Sequence, residues 1–432
     1  MPRRRHIDRS RSAVLAVLAA GGLAWALVAS GPAAAAEVPV APGAETLLRA
    51  IAAAAPGDVL KLGPGSYGGG VTIDRTLTLL GHPEARIDAR GKGSVITVSA
   101  PDVVLRGLTL VNSGVSLERE DSGVFVDREG DRVLIEGNRL EGNLIGVFLK
   151  GPEAARVRGN RIVGRGDLRM NERGNGVQLW NTPGSVVEGN DIRLGRDGIF
   201  VTTSKQNVFR NNRFRDLRFA VHYMYTNDSE VSGNVSRGNH VGYAIMFSHR
   251  LQVRDNVSEG DRDHGLLFNY ANASRIEDTL VRGGAEKCVF IYNANKNAFR
   301  GNRFEGCGIG IHFTAGSERN EISGNAFIDN RTQVKYVGSR EIEWSAGRRG
   351  NYWSDNPAFD LDADGIADRP YRPNGLVDQI VWRQPLAKLL LNSPALEVLR
   401  WAQSEFPTLR PGGVTDSAPL MRPPVAAPAR GG

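Results

Sequence analysis

The stretch VSGNVSRGN, residues 231–239, contains a phrase that recurs along much of the chain. In each copy an Asn, usually after Gly, separates two short segments of alternating apolar residues. The Asn stands at Asn138, Asn160, Asn190, Asn212, Asn234 and Asn256, is replaced by Thr279, and returns at Asn302 and Asn325. The successive intervals are 22, 30, 22, 22, 22, 23, 23 and 23 residues. This period, without helical spacing or a leucine consensus, predicts the coils of a parallel β-helix.

One strand of each coil can be aligned by its pattern. The aligned segments are GVFLK (146–150), GVQLW (176–180), GIFVT (198–202), AVHYM (220–224), AIMFS (244–248), GLLFN (265–269), CVFIY (288–292) and GIHFT (310–314). Their second and fourth residues are apolar or aromatic, whereas the third and fifth vary. Because strand side chains alternate between faces, the second and fourth residues should point inward and the others outward. The 30-residue interval contains an insertion, RGDLRMNERGN (165–175), which predicts a loop.

The outward positions include residues that could bind a soft metal. His222 and Met224 share one strand face, the alignment places Met246 one coil above His222, and His249 follows Met246. Thioether and imidazole ligands suit monovalent copper. Met side chains also serve at adaptable protein interfaces, so a contact surface is the alternative. Further members of this predicted partner wall are Phe148, Trp180, Phe200, Phe290, Tyr292 and His312.

The ends of the chain differ from the repeat. Residues 1–36 combine a basic start, an apolar run from Ala13 to Ala29 and small residues before Ala36, which is typical of a cleaved signal peptide; an uncleaved anchor is the alternative. Removing them takes away five Arg and one Asp, so the formal charge of +7 falls by 4 to +3. The small remaining positive charge therefore gives little support for nucleic acid as a partner.

The remaining organisation follows from composition. We predict an all-β, right-handed parallel β-helix over 61–340, preceded over 37–60 by a cap with a helix at about 45–54. An acidic-loop extension follows over 341–384. Residues 385–407 predict short helices, broken at Pro394, that either cap the coil or dock on a partner. Residues 408–432 are rich in Pro, Gly and Ala and predict a flexible tail.

The acidic loop suggests a second metal. Asp360, Asp362, Asp364, Gly365 and Asp368 follow the first nine positions of an EF-hand loop, in which alternate oxygen ligands hold calcium. The twelfth position is Tyr371 instead of Glu, and no flanking helices are evident. A calcium-bound structural loop and a solvated acidic turn both remain open.

The two cysteines are predicted to be free. Cys288 opens one aligned strand, and Cys307 falls three residues short of the equivalent place in the next coil. That offset argues against a disulfide.

An enzyme acting on acidic polysaccharide is the alternative function for such a fold. GDRDHG (260–265), with Asp261, Asp263 and His264, is loosely similar to the acidic-histidine motif of alginate epimerases. No cluster of lysine, arginine and carboxylate stacks in the aligned strands to complete such a site.

More specific motifs favour an exported binding protein. The repeated GN phrase, HYMYTNDS (222–229), GYAIMFSHR (242–250), GLLFNYANAS (265–274), the tail from GNYWSDNPAFDLDADGIADRPY (350–371) to LRWAQSEFP (399–407), and DSAPLM (416–421) resemble the NosD family of nitrous oxide reductase maturation proteins. The resemblance covers nearly the whole chain after residue 36.

The resemblance implies a non-enzymatic periplasmic protein. It would act with the membrane and ATPase subunits of an ATP-binding cassette (ABC) transporter and with a copper chaperone lipoprotein, to assemble the copper-sulfur centre of nitrous oxide reductase. His222, Met224, Met246 and His249 would then be transient copper ligands, and 385–407 would contact the membrane subunit. No nucleotide-binding motif occurs in the chain, so ATP hydrolysis would belong to another subunit.

Overall fold

The chain forms a parallel β-solenoid, which confirms the predicted fold. The computed structural model describes residues 35–314, 316–338, 340–390, 393–406 and 412–424. Three long sheets run along the solenoid, and within each sheet the strands pair in parallel with their counterparts in the neighbouring coils. One coil consists of three strands, one in each sheet, which agrees with the 22-residue period.

The strands are short and lie at regular intervals. Within the described residues, sheet 1 contains Glu37–Val40, Val59–Leu62, Thr78–Gly81, Val104–Arg106, Leu134–Glu136, Arg156–Arg158, Val186–Glu188, Val208–Arg210, Glu230–Ser232, Gln252–Arg254, Arg275–Glu277, Ala298–Arg300 and Glu321–Ile322. Sheet 2 contains Gly65–Gly68, Ala85–Asp88, Thr109–Val111, Arg139–Glu141, Arg161–Val163, Asp191–Arg193, Arg213–Arg215, Val235–Arg237, Val257–Glu259, Leu280–Arg282, Arg303–Glu305, Ala326–Ile328 and Tyr352–Trp353. Sheet 3 contains Val71–Ile73, Ile96–Val98, Ser122–Val126, Ile145–Lys150, Val177–Trp180, Asp197–Lys205, Phe219–Asn227, Val241–Met246, His264–Asn269, Lys287–Tyr292, Ile309–Thr314 and Thr332–Val337.

The core is a column of side chains inside the coils. In sheet 3 one inward row is completely buried and consists of Val177, Ile199, Val221, Tyr243, Leu266, Val289 and Ile311. The alternation read from the sequence is therefore correct for most coils. Burying such side chains contributes about 1.5–3 kcal/mol each, and the solenoid obtains this contribution coil by coil.

The recurring Asn residues form a buried hydrogen-bonded ladder. In Asn212 both the backbone N–H and the side-chain Nδ2 donate to Oδ1 of Asn234, at 3.0 Å and 3.0 Å. Asn234 repeats this arrangement with Asn256, while its Nδ2 also donates to the carbonyl of Phe209. The same pattern joins Asn138, Asn160 and Asn190 before this point and Asn302, Asn325 and Asn351 after it.

One aligned strand was placed wrongly. Ala220 and Ala244 are 24 residues apart, although the ladder repeats every 22 residues there. The backbone register pairs Ala244 with His222 and Met246 with Met224. Tyr243 and Ile245 consequently point inward. Ala244 has the small side chain typical of a strand start, and this similarity produced the two-residue error.

The prediction of free thiols is also wrong, because Cys288 and Cys307 form a disulfide with Cα atoms 5.7 Å apart. The second residue of these sheet 3 strands, Gly242 in Val241–Met246 and Cys288 in Lys287–Tyr292, faces the corner of the following coil and not the equivalent strand start. A Cβ added at Gly242 would lie 2.9 Å from Oδ2 of Asp261, which is 19 residues later. Cys288 and Cys307 have the same 19-residue separation and the same relation.

The N-terminal end is closed by helix α1, Thr46–Ala53. Its Leu47 and Ile51 are buried, and it packs near the strands Gly65–Gly68 and Val71–Ile73. This helix agrees with the one predicted at about 45–54. The strand Glu37–Val40 within the predicted cap already pairs with Val59–Leu62 as part of sheet 1. The predicted signal peptide lies outside the described residues, apart from Ala35 and Ala36.

The C-terminal end is closed by a returning segment that was predicted to be flexible. Val414–Thr415 pairs with Ile342–Glu343, and Asp416 is completely buried. Asp416 accepts hydrogen bonds from the backbone of Asn351 and from Trp353 Nε1, which continues the Asn ladder to its end. The flexible-tail prediction is therefore wrong for 412–424. Residues 407–411 and 425–432 lie outside the described part.

The helices near this end lie in a segment whose two ends are held together by backbone hydrogen bonds. Backbone hydrogen bonds join Tyr371 and Asp416 in both directions, at 2.8 and 2.9 Å. Between these residues lie α2 (Leu376–Arg383), a 3-10 helix (Pro385–Leu390) and α3 (Pro394–Glu405). We call residues 376–406 the helical arm. It begins before the predicted start at residue 385, and α3 begins at the predicted break, with the Ser393 side chain accepting from the backbone of Leu396.

Candidate functional site

The outward face of sheet 3 presents two rows of side chains, which together we call the outer wall. Backbone pairing defines the first row as Phe200, His222, Ala244, Leu267, Phe290 and His312. It defines the second row as Trp180, Thr202, Met224, Met246, Asn269 and Tyr292. Phe148 also occupies an outward position, but it is buried against Phe125 and Leu168 from neighbouring segments.

Met224 and Met246 are direct neighbours on adjacent strands. Paired strands lie about 4.8 Å apart, so the two thioethers can meet at one point. Both side chains are partly exposed. His222 is two residues from Met224 on the same strand face, or about 6.6 Å along the strand. The arrangement differs from the predicted one, in which Met246 stood above His222, and it places the two methionines side by side on paired strands.

His222 is at an outward position but is 7% exposed. Its ring lies against Phe200 and Phe219, with centroids 5.0 Å from each. Nδ1 is 3.0 Å from Oδ2 of Asp197. Nε2 is buried and has no hydrogen-bond partner among the residues that the structure describes.

Asp197 is the buried anchor of this arrangement. Arg218 donates to both of its carboxylate oxygens, at 2.8 and 2.6 Å. Burial raises the pKa of Asp197, but the hydrogen bonds from His222 and Arg218 together lower it by more. The pKa of Asp197 is therefore below its ordinary value. The carboxylate is therefore ionised at neutral pH, and its position is fixed from two sides.

His249 does not join this cluster in either outward row. It follows the strand that ends at Met246, and its backbone pairs with Asn272. Its ring Nδ1 is 3.4 Å from the Asn272 side-chain nitrogen. Phe247 and Ser248 lie between it and the methionine in sequence. Copper ligation by His249 stays a prediction.

Beside the methionines runs a series of aromatic rings in contact, which we call the aromatic ladder: Tyr225, Phe247, Tyr270 and Tyr292. The three tyrosines are exposed and Phe247 is half-buried. Tyr225 and Phe247 stack at 5.1 Å, as do Phe247 and Tyr270, and Tyr292 follows at 6.0 Å. The first three have φ values of 50°, 49° and 51°, a left-handed conformation that large side chains rarely adopt. The same position is occupied by Asn181 and Thr203 in the two preceding coils and by Asn293 in the following one. Large aromatic side chains are thus kept where Asn would be less strained.

The other predicted wall residues lie where the pattern placed them. Trp180 and Tyr292 are 44% and 43% exposed, and Phe200 is partly buried against His222. Phe290 stacks near His312 at 4.9 Å. Burial, with Lys335 and Lys287 adding repulsion, lowers the pKa of His312 to about 4. His312 is therefore neutral at physiological pH. The wall consequently presents mainly apolar surface here, with cationic side chains next to it.

The acidic loop brings together three of its four predicted calcium ligands. Oxygen atoms of Asp360, Asp362 and Asp364 all lie within 4.8 Å of one another. Asp360 accepts from the backbone of Gly365 at 2.9 Å. Asp368 instead accepts from the backbone of Leu361 at 2.8 Å. Backbone N–H groups therefore already satisfy much of the loop, and bound calcium stays a prediction.

The helical arm carries several exposed apolar side chains. Leu386 and Leu389 are more than four-fifths exposed, and Val398, Trp401 and Phe406 are more than half exposed. Soluble proteins seldom expose such a concentration of large apolar residues without a partner. No helix in the described part of the chain is long and apolar enough to span a bilayer.

Sequence reasoning missed Asp197, Arg218 and three rings of the aromatic ladder. Asp197 precedes the aligned segment GIFVT, and its contact with His222 spans 25 residues. Only the register between coils could have revealed it. Tyr225, Phe247 and Tyr270 were visible as aromatic residues one coil apart, but their left-handed backbone was not.

Comparison with known proteins identifies the family. Residues 158–358 match a family model described as "Periplasmic copper-binding protein (NosD)". A relative from Stutzerimonas stutzeri, named "Probable ABC transporter binding protein NosD", is 41% identical over 84% of this chain and 87% of its own length. The chain belongs to the NosD family. A relative of the same name from Pseudomonas aeruginosa is 42% identical over 85% of this chain and 89% of its own length.

The family membership supports a NosD-type binding role. NosD relatives are named as binding proteins, which agrees with the prediction that this chain is not an enzyme. The family is described as periplasmic, in agreement with the predicted export. The family description also names copper, the metal predicted for the wall.

Solved structures share the fold alone. A family 28 exopolygalacturonase from Yersinia enterocolitica superimposes with a TM-score of 0.57 at 10% identity, covering 70% of this chain and 77% of its own. The surface adhesin PfbA of Streptococcus pneumoniae gives 0.55 at 10% identity, covering 68% and 89%. Asp261 does not support the alternative function, an enzyme acting on acidic polysaccharide, because its side chain is buried and accepts hydrogen bonds from Ser236 and Ser258.

Proposed function

We propose that this NosD-family protein accepts monovalent copper on its outer wall during maturation of the copper-sulfur centre of nitrous oxide reductase. The observation that carries the proposal is the adjacent pair Met224 and Met246 beside His222, whose Nε2 lacks a partner among the described residues. Two thioethers and one imidazole form a soft, low-coordinate ligand set. Such a set favours Cu(I) over metals that prefer oxygen ligands.

A single weakly enclosed site suits a relay better than storage. The methionines are partly exposed, so a donor protein can reach them, and their flexible side chains can follow the metal. In this role a copper chaperone lipoprotein would deliver the ion, and apo-reductase would receive it. The wall would hold copper only between these two contacts.

Competition with a chromophoric Cu(I) chelator tests the proposal on the mature chain. We expect one Cu(I) per protein, bound tightly enough to withdraw metal from the chelator. Failure to compete would remove copper from this chain and leave only docking as its role. Met170→Ala serves as a matched control, because Met170 lies in a 3-10 helix of the insertion, outside the outer wall. Its variant should bind copper as the wild type does.

The aromatic ladder is the part of this proposal that concerns docking of the reductase. It is continuous with the methionine pair, since Phe247 directly follows Met246 and Tyr225 follows Met224. Its rings are held at a conformational cost of order 1 kcal/mol each, which the ring contacts, at about 0.5–1.5 kcal/mol per pair, roughly offset. Aromatic residues and Met are also enriched at the centres of protein interfaces. A partner seated on the ladder would therefore also cover the metal.

The helical arm would contact the membrane subunit of an ABC transporter, whose ATPase subunit lies on the other side of the membrane. The relatives' names associate them with such a transporter. The arm offers exposed apolar residues at Leu386, Leu389 and Trp401. The segment that contains the arm is held at both ends by the backbone hydrogen bonds between Tyr371 and Asp416. The arm thus presents exposed apolar side chains that a partner could contact, although Val377 and Val381 in α2 are buried.

A co-purification experiment with two variants separates these surfaces. Tyr225→Asn/Phe247→Asn/Tyr270→Asn should lose most apo-reductase binding but retain the transporter. Replacing 376–406 with a short Gly-Ser linker should have the opposite effect. In the first variant lost stacking, about 0.5–1.5 kcal/mol per pair, is partly offset by relief of left-handed strain. Its melting temperature should therefore change little. Loss of both partners in either variant, or of neither, would contradict the division.

A further inference from the structure

The buried contact between His222 and Asp197 gives the proposed copper site a defined geometry. A neutral imidazole carries one proton, and the hydrogen bond made by one ring nitrogen determines which nitrogen that is. Arg218 donates to both oxygens of Asp197, so this carboxylate acts as the acceptor toward His222, and the proton lies on His222 Nδ1. The lone pair is consequently on Nε2. This nitrogen lies in the buried ring and has no partner within the described part of the chain.

An unpartnered buried nitrogen is unusual in a protein interior. Leaving such a group unsatisfied costs about 1–3 kcal/mol, and native structures rarely retain it without a reason. His222 is packed between Phe200 and Phe219, which offer the nitrogen no donor. Met224 lies two residues along the same strand, and Met246 pairs with Met224 on the next strand. A metal ion at this point would satisfy Nε2 without a water molecule.

Arg218 holds the Asp197 carboxylate in place. Its two hydrogen bonds occupy both oxygens of Asp197, and its guanidinium lies 4.3 Å from the centre of the Phe219 ring. Both oxygens of Asp197 are thus engaged, and the carboxylate is not a free ligand for a hard cation. Carboxylates that orient metal-binding histidines in this way typically change metal affinity by 10–100-fold.

We infer that Asp197 is the positioning residue of the copper site: it fixes the His222 tautomer so that Nε2, together with Met224 and Met246, binds Cu(I). The inference rests on the proposed function and adds to it a buried residue that never touches the metal. The imidazole is pre-oriented, and the flexible methionines supply the movement needed for the ion to enter and leave.

Asp197→Asn tests the inference through Cu(I) affinity. An amide has one acceptor oxygen, so it leaves an N–H group facing either Arg218 or His222. We expect Cu(I) affinity, measured by chelator competition, to fall by about 10–100-fold. Asp261→Asn is the matched control, because Asp261 is equally buried but bonds Ser236 and Ser258 instead. That variant should keep wild-type affinity. Equal affinities in both variants would overturn the inference alone, whereas no binding by the wild type would refute the proposed function.

A second measurement needs no substitution and therefore does not depend on folding of a variant. In wild-type protein with ¹⁵N-labelled histidine, long-range ¹H–¹⁵N spectra report which ring nitrogen carries the proton. We expect His222, assigned by its absence in His222→Gln, to be protonated at Nδ1 in the metal-free protein. Its Nε2 resonance should then shift on addition of one equivalent of Cu(I). Protonation at Nε2 in the metal-free protein would overturn the inference whatever the affinity.

Discussion

Replacing Asn234 with Ala lowers the free energy of unfolding by about 3–6 kcal/mol, because one side chain serves three coils. Its Oδ1 accepts two hydrogen bonds from Asn212, and its Nδ2 donates to Phe209 and Asn256. The substitution removes all four bonds at a position with no water access. Buried groups left unpaired cost about 1–3 kcal/mol each, so the loss greatly exceeds that of a surface hydrogen bond.

Thr279 supplies the control at an equivalent ladder position. Its hydroxyl donates only to the carbonyl of Glu277, at 3.1 Å, although its backbone joins the ladder through Asn302. Thr279→Ala should therefore cost about 1 kcal/mol. Guanidinium unfolding followed by circular dichroism measures both variants. Equal losses would show that the side-chain ladder contributes no more than ordinary packing.

The second large effect concerns copper. His222→Ala/Met224→Ala/Met246→Ala should weaken Cu(I) binding by at least about 100-fold, since it removes the whole soft ligand set. The thermal stability should fall mainly through the loss of His222, which is buried and bonded to Asp197, because both methionines are partly exposed. Chelator competition at fixed pH measures the affinity, with Met170→Ala as the control. Tight binding that survives in the triple variant would place the copper site elsewhere on the chain.

The fold was predictable because the sequence repeats with a short period. Each coil repeats the same alternation and nearly always the same Asn, so the sequence of a single chain predicts the parallel β-helix, although not its division into three sheets. The two outward rows also followed from alternation, and they brought His222 and Met224 to one face. The single error in register, at Ala244, arose because a small residue imitated a strand start.

The missed features all depend on contacts between coils. Asp197 reaches His222 across one coil, Cys288 meets a corner of the following coil, and Asp416 returns over 65 residues to Asn351. Periodicity specifies which positions are equivalent, but not which non-equivalent side chains meet. The burial of His222 likewise depends on Phe219, which lies just before the segment used for the alignment.

The coordination of copper in the wild-type protein tests the central claim most directly. X-ray absorption at the copper edge, recorded on mature protein with one equivalent of Cu(I), reports the type and number of ligands. The outer-wall site predicts two sulfur ligands and one nitrogen, with no bound water. A shell of nitrogen and oxygen alone, or copper that dialyses away, would contradict it.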